Sequence, residues 1–174
     1  MILQTYQSMT VLAILKKEEI YRAKPSISYK GAYAALVEML HLHCECPIFA
    51  VVKGRKQNTG GRVSGVVKFT LDVPDDRIKF TEYNVWADFL YAFRFTKPHD
   101  YTRLKADCEE MTHRRYTALL HNLQTPKPLG QYRYPQAILE EIRPEWLVNY
   151  QLIPAGATKG AITLAEKIAN IFRR

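Results

Sequence analysis

No apolar run in this sequence approaches the roughly 18 residues of a membrane span, so it offers no candidate for a membrane-crossing helix. Its first residues lack a basic stretch followed by an apolar one, and no signal peptide is evident. Cysteine is scarce: Cys44, Cys46 and Cys108. An odd count with tight Cys-Glu-Cys spacing argues against a secreted disulfide framework, and the expected location is the cytoplasm. Low-complexity tracts and internal repeats are also missing, which confines expected disorder to the chain ends. The glycine-lysine-serine/threonine ending of a Walker loop is absent.

Apolar residues make up 47% of the 174 positions and charged residues 24%, enough for one domain to bury a sizeable core. Lys and Arg number 25 against 17 Asp and Glu, a formal net charge of +8. That balance favours an anionic partner, whether nucleic acid, nucleotide or an acidic protein face.

The pattern along the chain mixes strands and helices without a regular strand–helix–strand rhythm, which predicts an α+β single domain with small mixed or antiparallel sheets and about five helices. Strands are expected at residues 2–6, 20–23, 48–52, 63–72, 78–80, 136–142 and 148–153. Helices are expected after Ser8 or Thr10 (stripe Val11, Leu12, Ile14, Leu15) and after Ser28 (stripe Tyr33, Leu36, Val37, Leu40). A third follows Thr81 and carries Trp86, Phe89, Leu90 and Phe93 at helical spacing, which reads as core. A largely polar helix covers 101–123. A linker at 154–160 leads to an amphipathic helix at 162–172. The domain therefore spans 1–160, with residues 161–174 packed on it or on a partner.

Four groups of residues invite a chemical reading. KGRKQNTGGR, residues 53–62, separates two strands that read as a long hairpin with a glycine tip. Its Lys53, Arg55, Lys56 and Arg62 can meet phosphate, because arginine forks match phosphate oxygens and turn amides approach them closely. The same segment also reads as a solvated loop. His41, His43, Cys44 and Cys46 offer metal-ligand types without a familiar spacing, so no metal is expected. Asp75-Asp76 after Pro74 reads as an ordinary turn. Near the C-terminus, Gln136, Ile138 and Glu140 share one strand face, and Glu140 and Glu141 end that strand. There a carboxylate can stabilise developing positive charge, or simply mark a charged sheet edge.

Two segments carry a resemblance. LDVPDDRIKFTEYNVW, residues 71–86, resembles an uncharacterised bacterial and phage family, a domain of unknown function. QAILEEIRPEWLVNYQLI, residues 136–153, resembles the end of ADP-ribosyltransferases, including the DarT DNA-modifying toxins. The second resemblance implies NAD as cofactor, held in a cleft between two small sheets, with Gln4, Thr5 and Tyr6 of the first strand near the nucleotide. It also implies a catalytic glutamate on a strand that begins Gln-Ala-Glu. Here that position is Ile138, and Glu140 takes the role if the register shifts. The expected histidine or arginine of the first strand has Gln4 in its neighbourhood.

The expected function is thus an ADP-ribosyltransferase-like domain acting on, or docking to, nucleic acid or a nucleic-acid-bound complex. The alternative is a non-catalytic, phage-encoded binding protein that blocks a host or defence complex. A third possibility is a small structural partner whose last helix docks on another chain.

Overall fold

The computed structural model describes residues 1–25, 30–55, 66–95 and 105–153. The fold is α+β, as the mixed pattern predicts. Its strands are β1 (Ile2–Gln7), β2 (Ile48–Val52), β3 (Val66–Asp72), β4 (Lys79–Glu82), β5 (Pro135–Leu139) and β6 (Leu147–Ile153). The helices are α1 (Met9–Lys16), α2 (Lys30–Leu40), α3 (Tyr83–Phe95) and α4 (Lys105–Gln124). The helix expected at 162–172 lies outside the described residues, and with it the boundary at 161.

Among the described residues the strands form one six-stranded sheet in the order β4-β5-β2-β1-β3-β6. Every neighbouring pair is antiparallel. The sheet is not uniformly zipped. β1 pairs with β3 over six residues, from Ile2↔Asp72 to Gln7↔Val67. It pairs with β2 at only two, Leu3↔Val52 and Gln4↔Val51. Two three-stranded halves, β4-β5-β2 and β1-β3-β6, therefore meet along a short join.

This order overturns the long hairpin. β2 and β3 both run antiparallel to β1, one on each side of it, so they run in the same direction. A tight turn cannot connect two strands of one direction; they need a crossover. The basic glycine-rich segment therefore links opposite ends of the sheet. The strand expected at 20–23 is reduced to two isolated bridges, Tyr21↔Ile142 and Ala23↔Cys46. Pro25 and the short apolar stretch leave no room for a longer ladder.

Alternation along the strands builds two cores. On one face Leu3, Ala50, Phe69, Leu71 and Leu139 are buried together with Val11, Leu12 and Leu15 of α1. On the other, Ile138 joins Leu36, Trp86, Phe89 and Leu119 from α2, α3 and α4, with Phe49 packed against them. Trp86 stacks at 5.5 Å from Phe49 and 5.8 Å from Phe89, a core role as its helical spacing predicts. Residues 144–146 form a single helical turn that opens at Pro144, a residue suited to a first helical position.

Where β1 leaves β2, a side chain replaces the ladder. The buried Thr5 hydroxyl donates to the Phe49 carbonyl at 2.8 Å and accepts from Gln7 Nε2 at 3.0 Å. Removing it strands a carbonyl and an amide in a partly buried place. Thr5→Val is expected to lower stability by about 1–3 kcal/mol, while Thr5→Ser stays near wild type. Urea denaturation of the two variants checks this; equal stability of Thr5→Val and wild type would dismiss the bridge.

Candidate functional site

The two halves of the sheet present unlike surfaces on the side away from α1. Over Phe49 of β2 and Ile138 of β5, Leu36, Trp86 and Phe89 pack on the sheet. Over β1, β3 and β6 the same face is polar. Register sets Gln4 beside Thr70 and Thr70 beside Asn149; one step further along it sets Tyr6 beside Lys68 and Lys68 beside Gln151. Directly paired residues share a face, so these six side chains form one platform. Each is half-buried or exposed. The platform carries amides, hydroxyls and one amine but no carboxylate until the exposed Asp72 at its end. That set donates and accepts hydrogen bonds across a concentrated area without repelling an anion.

The first-strand trio expected near a nucleotide is divided by the pleat. Gln4 and Tyr6 lie on the polar platform, at the edge of the join. Thr5 points to the opposite face and is engaged with Phe49.

Of the expected phosphate contacts, Lys53 and Arg55 are exposed in a tight turn after β2. Gly54 there adopts φ +81°, the left-handed conformation that glycine tolerates. The turn is tied to the start of β1, because the Lys53 amide donates to the Ile2 carbonyl at 3.0 Å. The Arg55 guanidinium also reaches the loop at 129–131: a Cβ on Gly130 would stand 4.0 Å from it. Lys56 and Arg62 lie outside the described residues.

Glu140 lies at the other end of the sheet. It follows Leu139, the last residue of β5, which pairs with Ile48 at the start of β2. The turn at Lys53 and Arg55 follows the opposite end of β2. The cations and the acidic strand end therefore do not border one pocket. Glu140 instead lines a cavity of about 120 Å³ with His43, Asp76, Arg77, Lys79 and Trp146. Its neighbour Glu141 is structural: it binds Arg22 and Arg143, each at 2.6 Å. The Gln-Ala-Glu position, Ile138, is only 1% exposed and packs in the second core.

The histidine and cysteine group is also held by the fold. His41 takes φ +50° at the end of α2, and the Leu42 amide returns to the Val37 carbonyl at 2.9 Å. Lys79 Nζ donates to the Leu40 carbonyl, closing the helix end. Among the described residues no three His, Cys, Asp or Glu side chains gather as a metal site. Nor is any described helix long and apolar enough to cross a membrane.

The sequence places Gln136 on one strand face with Ile138 and Glu140 but assigns it no role. It lies in β5 opposite Val51, and Val51 lies opposite Gln4. One polar residue inside the otherwise apolar PQAIL was the available signal. The platform residues of β3 and β6 had a clearer one, the polar alternation of Lys68 with Thr70 and of Asn149 with Gln151.

Comparison of the chain with protein-family models, with curated proteins and with solved structures finds no match.

Both described cysteines are poor nucleophiles. Burial, reinforced by nearby Cys44, pushes the Cys46 thiol from 9.0 up to about 11. Burial first, then the Glu140 carboxylate, raises the Cys44 thiol. The folded chain keeps the Cys46 proton where the unfolded chain has lost it, so stability falls as pH rises from 9.0 to about 11. Iodoacetamide at pH 8 is expected to label Cys44 and Cys46 far more slowly in folded than in urea-unfolded protein, by mass spectrometry. Equal rates would contradict a half-buried Cys44 and a buried Cys46 held as neutral thiols.

Proposed function

We propose that this chain is a binding domain on an ADP-ribosyltransferase-like scaffold, which docks to nucleic acid or a nucleic-acid-bound complex. A nucleotide such as NAD sits at the join of its two half-sheets. The observation that carries this reading is the short join itself. β1 and β2 share two residue pairs, and Gln4 and Tyr6 face the polar platform beside it. A cleft between two small sheets is what the resemblance implies for NAD. The net charge of +8 and the exposed Lys53 and Arg55 supply attraction for phosphate.

Binding is favoured over transfer because of Ile138. The position that the resemblance assigns to a catalytic glutamate is an apolar side chain inside the core. A second reading keeps the transferase, with the Glu140 carboxylate steadying developing positive charge or orienting the acceptor. It is supported by the small cavity that Glu140 shares with His43 and Trp146.

One experiment separates them. Labelled NAD is incubated with the protein and single- or double-stranded DNA or RNA, and polymer binding is measured at several salt concentrations. The expected result is salt-dependent binding without transfer of label. Replacing Lys53 and Arg55 together by alanine should make the log-affinity against log-salt slope shallower by about 2. Label transfer that disappears in Glu140→Gln would instead establish the transferase. Absence of both binding and transfer at low salt would reject both readings.

A further inference from the structure

Among the described residues three polar side chains are buried: Thr5, Thr81 and Gln136. Two are satisfied. Thr5 holds Phe49, and the Thr81 hydroxyl donates to Asn122 Oδ1 at 3.3 Å. Gln136 is 9% exposed, and its Oε1 has no hydrogen-bond partner among the described residues. A buried amide oxygen left without a donor is a standing cost, and in native proteins such a group asks for an explanation.

Its location supplies one. Gln4, Val51, Gln136 and Thr81 are successive partners across β1, β2, β5 and β4, so they share one face in a single row. Gln4 and Gln136 are two strand spacings apart, roughly 10 Å between Cα atoms, with Val51 between them. Two glutamine amides at that spacing can converge on one planar group lying over a valine. This row crosses the join between the half-sheets, and the Gln4 end opens on the polar platform. The last torsion of a glutamine is broad and two-fold, so the Gln136 amide can turn its oxygen toward that end.

We infer that Gln136 is a ligand-reading residue, whose side-chain oxygen accepts a hydrogen bond from an N–H donor on a planar ring bound across the join. The chemical class is a nucleotide bearing an exocyclic amine or a carboxamide, such as an adenine base or a nicotinamide. The inference rests on the nucleotide reading above and adds to it the group that is recognised. A site that offers a buried acceptor discriminates against a ligand lacking the donor, because the acceptor then stays unpaired.

Two pairs of probes test it by calorimetric titration. Purine riboside 5′-diphosphate differs from adenosine diphosphate only by loss of the exocyclic amine. Deamido-NAD differs from NAD by loss of the carboxamide nitrogen. Wild type is expected to bind the donor-bearing member at least tenfold more tightly in one pair. Discrimination in the first pair identifies adenine, and in the second alone nicotinamide. Gln136→Met should abolish that discrimination and raise the melting temperature, since the unpaired acceptor is gone. Nucleotide binding without discrimination in either pair would overturn the inference and leave the nucleotide reading standing. Discrimination that survives in Gln136→Met would overturn it too, as would a variant that melts below wild type. Failure of wild type to bind any of the four would remove the nucleotide reading, and this inference with it.

Discussion

β1 lies between two strands that both run against it, and it is bound unequally to them. Six residue pairs hold it to β3 and two hold it to β2. Beyond Gln4 the contact with β2 passes to the Thr5 hydroxyl. The separate characters of the half-sheets follow from this inequality. The β4-β5-β2 half can be covered by α2, α3 and α4 without those helices extending over β1, β3 and β6. The polar residues of β1, β3 and β6 can then line up on a face that neither apolar cluster of the described residues claims.

The same constraint explains which expectations survived. Local patterning carried the elements. The Val11, Leu12 and Leu15 stripe is buried on one face, and the Trp86 and Phe89 stripe on the other. Strand order was not legible in the same way. β2 and β3 follow one another in sequence and are joined by a glycine-rich stretch, the usual signature of a hairpin. What excludes the hairpin is that β1, some forty residues earlier, occupies the place between them. Nothing local to residues 48–72 encodes that. The Arg22–Glu141 pair was invisible for the same reason, since its partners are 119 residues apart.

Charge near the end of β5 shows how neighbouring residues divide their tasks. Glu140 and Glu141 look alike in sequence. In the fold, Glu141 is drawn between Arg22 and Arg143, and Arg143 lies 5.7 Å from the Trp146 ring, so this acid ties the segment after β5 to the start of β6. Glu140 is left in a small cavity at the strand end, away from the Lys53–Arg55 turn. The cations and that acid therefore occupy two separate regions of the fold. The polar platform with the join beside it has the larger set of hydrogen-bonding groups, and Gln136 lies in line with it.

The proposed function requires above all that a nucleotide land on that platform. Titration of isotope-labelled protein with ADP-ribose, followed by amide NMR, tests this directly. Shifts are expected to concentrate at Gln4, Tyr6, Lys68, Thr70, Asn149 and Gln151, with Val51 and Gln136 moving at the join. Shifts gathered instead around His43, Lys79 and Glu140, with the β1-β3-β6 face unchanged, would contradict it.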